Sequence, residues 1–495
     1  MELVILIFLT SGLFLGWSLG ANDAANVFGT AVGTRMVRFT TAAVICSIFV
    51  ILGAVISGSG AAHTLGKLGA INALGGSFMA AFSAAITVYM MTRAGLPVST
   101  SQAIVGAIIG WNLYSGFPTD SSALTKIVAT WIACPLLAGF VAVVLYKITV
   151  AILGKAQFHL IRLDAYSRAA LIIAGAMGAY SLGANNIANV MGVFVSSNPF
   201  TSFEVGGLFA FSGVQQLFLI GALAIAVGVF TYSKKVMMTV GGGLMPLSPV
   251  SAWVVVVSHS IVLFLFASVG LESFLADAGL PTIPLVPVSS SQAVVGAVIG
   301  LGLLKGGRGI NYRVLVNIAS GWVTTPVIAC VVCFVSLFFL QNVFNQEVYR
   351  DASYVVDPVV IEKLAENGQP SQVLKPLSGR EYTSVSEFRR TIADHTNLTS
   401  TEETELLNAA EIVNIVVDDS TLAKIKSGVV TNIQLAALKN LSGQTYRHKW
   451  QLNNALAVAS EEWRYRPNTK ANKGYNKKLG ITLDSVNRVM RSNLH

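Results

Sequence analysis

Residues 18–27 read SLGANDAANV and residues 181–190 read SLGANNIANV, with eight of ten positions matching at an offset of 163. Residues 97–110 read PVSTSQAIVGAIIG and residues 287–300 read PVSSSQAVVGAVIG, with eleven of fourteen matching at an offset of 190. The two segments recur in the same order, so the chain is built on a duplicated unit whose second copy is about 27 residues longer. The extra residues are expected between Lys234 and Pro249, where a GGG run and two prolines interrupt the pattern. A weaker echo follows each hairpin segment, with Trp131 and Pro135 in one half and Trp322 and Pro326 in the other.

The surroundings of these segments are apolar. Of 495 residues, 53% are hydrophobic and 12% charged, about half the charge of an ordinary soluble protein. The charge is also uneven: residues 1–346 carry 21 charged side chains and residues 347–495 carry 36. The first part therefore reads as an all-α polytopic membrane protein, followed by a soluble, helical C-terminal domain. The expected division is a first transmembrane repeat at 1–150, a second at 151–346 and the soluble region at 347–495. This excludes a soluble enzyme for the first part, and the modest +9 net charge leaves no basic patch for nucleic acid.

Apolar stretches near 3–30, 40–58, 72–91, 97–117, 124–146, 168–195, 205–232, 249–270, 287–304 and 314–341 approach the roughly 20 residues that cross a bilayer. The start, Met1 to Gly20, lacks the basic n-region of a signal peptide and is expected to be the first membrane helix. Five spans per half would insert the second half upside down. With the N-terminus outside, the inner loops hold Arg35, Arg38, Arg93, Lys147, Lys155, Arg162, Arg168, Lys234, Lys235, Lys305, Arg308 and Arg313, and the outer loops only Lys67 and Lys126. That bias fits the positive-inside rule. Inverted-topology repeats with broken helices and hairpins near mid-membrane are a secondary-transporter design. The four cysteines all lie in apolar stretches and are read as core or lipid-facing residues.

Polar residues inside such spans need a reason, because a buried amide without a partner costs several kcal/mol. Ser99, Thr100 and Ser101, and likewise Ser289, Ser290 and Ser291, follow a proline and precede an apolar run, the pattern of a helix start. Unpaired N–H groups and the positive dipole end there favour an anion, and Gln102 and Gln292 each add an amide donor. Simple helix capping is the alternative, and one serine would satisfy it. Asn22, Asp23 and Asn26, with Asn185, Asn186 and Asn189, offer side-chain oxygens instead, which hard cations prefer. Gly20 and Gly183 are expected to let the helix unwind and free backbone carbonyls for the same ion. Interhelical amide bonding as packing is the alternative for these residues, worth about 1 kcal/mol. Asp23 is the one acid among them, and a carboxylate at mid-membrane is costly for packing alone.

The segment from Gly20 to Thr30, G-A-N-D-x-A-N-x-x-G-T, its second copy at Gly183 to Gly192, and the two P-V-S-[ST]-S-Q hairpins resemble the repeated signatures of the inorganic phosphate transporter (PiT) family. The resemblance covers roughly residues 1–342. It implies a sodium-coupled symporter of inorganic phosphate in the cell (inner) membrane, a homodimer surrounded by lipid, with both ligands where the repeats meet. Sodium is then the coupling ion at Asn22, Asp23, Asn26, Asn185, Asn186 and Asn189, phosphate lies at the hairpin residues, and no other cofactor is expected. Asn186 stands where the first motif has Asp23, and Gln102 and Gln292 stand where many relatives have His. A proton-coupled phosphate or sulfate permease, or an anion channel on the same repeats, are the alternatives. Asp23 could accept a hydrogen bond from a protonated phosphate oxygen, which sulfate lacks. His259, between Ser258 and Ser260, has no partnering acid or nucleophile motif in the sequence, so no enzyme is expected.

The tail, 347–495, is expected to have helices near 401–416, 420–440 and 447–463, the first starting at Ser400–Thr401–Glu402–Glu403. The span count puts it outside, as a regulatory or partner-binding domain.

Overall fold

The computed structural model describes residues 2–69, 71–94, 98–156, 159–198, 200, 203–205, 209–307, 309–369, 371–396, 398–423, 425, 430–467, 469 and 472–491. Pro97 and Arg308 lie outside these residues.

In an apolar solvent every backbone polar group must be satisfied within its own segment, and the long apolar runs fold as helices for that reason. The first half contains α1 (Glu2–Gly33), α2 (Phe39–Ser57), α3 (Ser59–Leu68), α4 (Leu74–Arg93), α5 (Thr100–Ser115) and α6 (Ser121–Ala156). The second contains α7 (Leu160–Met191), a hairpin of β1 (Phe203–Val205) and β2 (Phe209–Phe211), α8 (Gly213–Gly243), α9 (Pro249–Ala267), α10 (Val269–Asp277), α11 (Ser290–Leu304) and α12 (Tyr312–Asn342). Eight of these helices, α1, α2, α4, α6, α7, α8, α9 and α12, are long and apolar enough to cross a membrane. The other two expected spans are short helices. At 16 and 15 residues, α5 and α11 reach about 24 and 22 Å at 1.5 Å per residue, against a core of about 30 Å. Non-helical chain at 98–99 and 281–289 leads into them.

The halves interlock by exchanging partners: α1 packs on α8 and α7 on α2, α5 on α12 and α11 on α6. Glycines set how closely they approach. A Cβ on Gly20 would stand 2.0 Å from the Ile225 carbonyl oxygen, and one on Gly183 would stand 2.1 Å from that of Val50. Gly106 meets the Pro326 oxygen at 2.1 Å and Gly296 meets the Pro135 oxygen at 2.2 Å in the same sense. These contacts correct one expectation. Both α1 and α7 run unbroken through Gly20 and Gly183, whose lack of a side chain serves packing rather than unwinding. The breaks fall at Gly58, between α2 and α3, and ahead of Thr100 and Ser290.

The contacts also relocate the extra residues. Equivalent positions differ by 163 at Gly20/Gly183, by 175 at Gly53/Gly228 and by 190 at Gly106/Gly296. The insertions therefore lie between α7 and α8, as the β1–β2 hairpin, and between α9 and α11, as α10. Residues 234–249 carry none: the last turns of α8 are the counterpart of α3, continuous where the first half breaks.

Loop contacts sort the connections onto two faces. Arg168 donates to the Met36 carbonyl at 3.0 Å, Lys234 lies over the Phe39 ring, and Lys305 lies over Tyr146 and donates to Ser251 at 3.0 Å. The basic loops thus share one face. The tail sits against the other. Trp111 Nε1 donates to the Val348 carbonyl at 2.8 Å, Asn72 exchanges two hydrogen bonds with the Arg350 backbone, and Arg389 donates to the Gly116 carbonyl at 3.2 Å.

The tail is itself a tandem repeat. Residues 374–382 read LKPLSGREY and residues 438–446 read LKNLSGQTY. The first unit holds β3 (Tyr354–Val355), α13 (Pro358–Glu366), β4 (Glu381–Tyr382), α14 (Val385–His395) and α15 (Ser400–Ala410) around its own core. The second holds β5 (Ile415–Val416), α16 (Asp419–Ala423), α17 (Asn432–Lys439), β6 (Thr445–Tyr446), α18 (Lys449–Ala459) and α19 (Lys473–Met490) around another. Each unit closes one antiparallel pair, Tyr354 opposite Tyr382 and Ile415 opposite Tyr446. In each, a glycine at positive φ, Gly379 or Gly443, donates back to Val356 or Val417 at 2.8 and 2.7 Å. Asp357 and Asp418 cap the following helices through Val360 N and Thr421 N. Helix boundaries differ from the sequence reading accordingly. The first expected helix stops at Ala410 because the chain must enter β5, and the second is split into α16 and α17. The capping box at α15 belongs to Thr399 and Glu402, one residue earlier than expected. The Thr399 backbone N–H and hydroxyl hold the Glu402 carboxyl below its usual range.

Candidate functional site

The two Asn-rich segments lie on α1 and α7, and the two hydroxyl triplets open α5 and α11. All fourteen expected site residues are at most 3% exposed. Helical spacing accounts for this: Asn22 and Asn26, four residues apart, share the inward face of α1, as Asn185 and Asn189 do on α7.

The structure joins seven of these residues into two adjoining hydrogen-bonded groups, one around Asp23 and one around Ser101. Thr100 Oγ1 donates to Asp23 Oδ2 at 2.9 Å. Ser101 Oγ donates to the Val288 carbonyl at 3.1 Å and accepts from Asn189 Nδ2 at 2.8 Å, and Asn189 also donates to Asn186 Oδ1 at 2.8 Å. Asn185 clamps the entry to α11 from both sides: its Nδ2 donates to the Val288 carbonyl at 2.8 Å and its Oδ1 accepts from Val288 N at 3.1 Å. Asn22 performs the corresponding task at α5. With its oxygen accepting from Thr92 Oγ1 at 2.7 Å, its nitrogen donates to the Val98 carbonyl at 3.3 Å and to Asp23 Oδ1 at 3.2 Å. The first hairpin is therefore held by both repeats, through Asp23 and Asn22 of one and Asn186 and Asn189 of the other.

Two of the six hydroxyls also cap their helices. Ser99 and Ser289 are helix N-caps, each accepting from the backbone N–H of Gln102 or Gln292 at 3.2 Å. Ser289 also shares a hydrogen bond of 3.1 Å with Ser291. Ser290 pairs at 2.8 Å with His259 Nε2, buried on α9. Sequence reasoning missed that contact; His259 and Ser290 are 31 residues apart in different elements, and no spacing rule joins them.

Several buried polar atoms have no partner among the described residues. Both ends of the Asn26 amide, Asn186 Nδ2, Asn189 Oδ1, Gln102 Oε1, Gln292 Oε1 and Thr30 Oγ1 are in this state. Four of them are amide oxygens, and they form two repeat-related pairs, Asn26/Asn189 and Gln102/Gln292. Buried groups without partners cost about 1–3 kcal/mol each unless something binds there. Open amide oxygens, together with the Asp23 carboxylate, suit a hard monovalent cation. The open Asn186 nitrogen and the first turns of α5 and α11 suit an anion.

Eight candidate spans around a closed polar centre define a multi-pass membrane transporter rather than an enzyme. Residues 19–273 and 280–464 match the family model described as the phosphate transporter family. The chain belongs to that family. The match extends to residue 464, into the tail, further than the repeated motifs alone mark. A Methanocaldococcus jannaschii protein named "Putative phosphate permease MJ0630" is 28% identical over 339 residues, which cover 68% of this chain and 97% of the relative. A Haemophilus influenzae protein of the same description is 24% identical over 421 residues, covering 68% of this chain and 96% of the relative. A solved structure named "The sodium-dependent phosphate transporter" superposes with a TM-score of 0.56 at 22% identity. It covers 69% of this chain and 99% of the other, and shows the shared fold.

Proposed function

We propose that this chain is a secondary active transporter that carries inorganic phosphate across the cell membrane together with sodium. One observation carries the reading: Asp23 holds a hairpin hydroxyl within a closed network whose unpartnered atoms are mainly oxygens. No Lys or Arg belongs to the fourteen site residues, so cations and helix dipoles must balance the anion, and coupling follows as a charge requirement. Sodium sits at Asp23 with Asn22, Asn26, Asn185, Asn186 and Asn189, and phosphate at the opening turns of α5 and α11. Burial of the whole centre supports alternating access over an open channel, since neither face reaches it in this conformation. The inverted arrangement of the halves, with the tail outside, is supported by the gathering of the basic loops on the face opposite the tail. The least buried helices, α6 and α12, expose Leu136, Phe140, Val327 and Phe338 and are the surfaces for lipid and for a second copy in a homodimer.

Uptake of labelled phosphate into proteoliposomes, with and without an inward sodium gradient, tests this. Sodium-driven accumulation is the expected result. Equal uptake without sodium would overturn the coupling, and acceleration by an inward proton gradient alone would favour the proton-coupled permease. Labelled sulfate in the same vesicles tests the anion.

A further inference from the structure

Thr100 and Ser290 are the same position in the two repeats, the first residue of α5 and of α11, yet their hydroxyls face different partners. Thr100 meets a carboxylate, Asp23, at 2.9 Å. A carboxylate can only accept, so the single Thr100 proton is committed to it. Ser290 meets a histidine, His259 Nε2, at 2.8 Å, and both residues are at most 2% exposed. Here the direction depends on which ring nitrogen carries the proton. The other nitrogen, Nδ1, has no partner among the described residues. If Nε2 accepted from Ser290, Nδ1 would be a buried, orphaned N–H, the rarer and more costly kind of unpaired group. With the proton on Nε2, the ring donates to Ser290 and leaves only a lone pair unmatched. The Ser290 proton is then free.

We propose that His259 is a positioning residue that fixes Ser290 as a hydrogen-bond donor to the transported anion, while Thr100 serves the cation side by holding Asp23. His259 is an asymmetric addition. Its counterpart on α4, at the 175-residue offset of Gly53 and Gly228, is Ala84, just as Asn186 replaces Asp23. The second repeat has exchanged an acid on its motif helix for an imidazole on the neighbouring one. One hairpin thereby faces a hydroxyl-accepting carboxylate and the other a hydroxyl-donating ring. No charge change on His259 is needed: a neutral ring with its proton on Nε2 performs the task.

This inference rests on the phosphate reading above, and its test separates the two. Full-length His259→Leu, His259→Gln, Ser290→Ala and the double variant His259→Leu/Ser290→Ala are reconstituted, and the KM for labelled phosphate and the half-saturating sodium concentration are measured. Gln places an amide nitrogen where Nε2 stood. His259→Leu is expected to raise the phosphate KM at least tenfold with sodium half-saturation within twofold of the parent. His259→Gln should recover most of that loss, and the double variant should be no worse than Ser290→Ala. Phosphate-dependent thermal stabilisation of the purified variants gives the same ranking without transport. A parental phosphate KM in His259→Leu, a loss that Gln leaves unrescued, or a double variant whose losses multiply would each overturn the positioning role. A parent chain that neither transports phosphate nor is stabilised by it would overturn the function reading instead.

Discussion

The two membrane repeats agree in their packing and disagree in their chemistry. Gly20 and Gly183, Gly53 and Gly228, Gly106 and Gly296 each meet a backbone carbonyl of the other half at nearly equal distances. Ser99 and Ser289 cap their helices at the same 3.2 Å. One residue further on, the equivalence ends: Thr100 pairs with Asp23, Ser290 with His259, and Asn186 reaches across to the Asn189–Ser101 contacts of the first hairpin. The lesson is that a duplicated scaffold needs its symmetry where backbones touch, and can give it up where ligands bind. Two unlike ligands of opposite charge need two unlike half-sites.

The largest effect should come from erasing the difference in charge. Asp23→Asn keeps the shape and one oxygen but removes the carboxylate beside the proposed cation. The loss of one unit charge in a partly dry site amounts to a few kcal/mol, about a hundredfold or more in sodium affinity. Sodium stimulation of phosphate uptake should collapse, and residual transport should shift toward sulfate. Asn186→Asp makes the halves alike in the other sense and should impair transport by repelling the anion. Parental sodium dependence in Asp23→Asn would make the carboxylate structural.

The symmetric part of the comparison gives the next effect. An alanine at Gly106 or Gly296 places a methyl about 2.1–2.2 Å from a proline carbonyl oxygen, so backbone must move. Overpacking of this kind costs about 1–3 kcal/mol, and the two variants should lower the melting temperature in detergent by similar amounts. Gly154→Ala, in α6 with nothing near the new methyl, is the control and should be neutral or slightly stabilising. A Gly106→Ala protein as stable as its parent would mean that the half-to-half contact is looser than described.

Much of this could be read in the sequence because it is written in local patterns. The paired SLGAN and PVS segments, the apolar runs and the sparse, one-sided basic residues located the spans and singled out fourteen polar residues that the structure buries together. What escaped was written across elements. Exchange of partners between halves leaves no trace in spacing, so Gly20 and Gly183 read as points of unwinding when they are points of contact. His259 looked isolated because Ser290 lies in another helix. The tail repeat was legible in LKPLSG and LKNLSG, but its flanking residues differ and the helical periodicity around it is the stronger pattern. The first expected tail helix ran too far because a two-residue strand, β5, follows Ala410 within it.

A smaller effect tests the join between membrane region and tail. Arg389 donates to the Gly116 carbonyl, at the C-terminal end of the helix whose first turn holds Thr100, and also pairs with Glu403 at 2.6 Å. Arg389→Ala removes one charge-assisted bond to a partly buried carbonyl, about 1.5–3 kcal/mol at most. Faster proteolysis of the tail with transport retained is the expected outcome. Unchanged proteolysis would show that Trp111 and Asn72 hold the tail without it.

The smallest effect returns to the hairpin caps. Ser99 makes one recorded side-chain contact, accepting from Gln102 N, whereas Ser289 accepts from Gln292 N and also pairs with Ser291. Ser99→Ala should cost about 1 kcal/mol of stability, the ordinary value of an N-cap. Ser289→Ala should cost slightly more, because Ser291 loses its partner in a buried position. Both hydroxyls are tied to a backbone N–H at their cap and lack the imidazole donor that orients Ser290, so phosphate KM should move less in these variants than in Ser290→Ala. Thermal melts and phosphate titrations on the three variants give the ranking. If Ser99→Ala weakens phosphate as strongly as Ser290→Ala, the first hairpin also gives the ligand a hydroxyl, that of Ser99. The difference between the half-sites would then reduce to the charge on Asp23 alone.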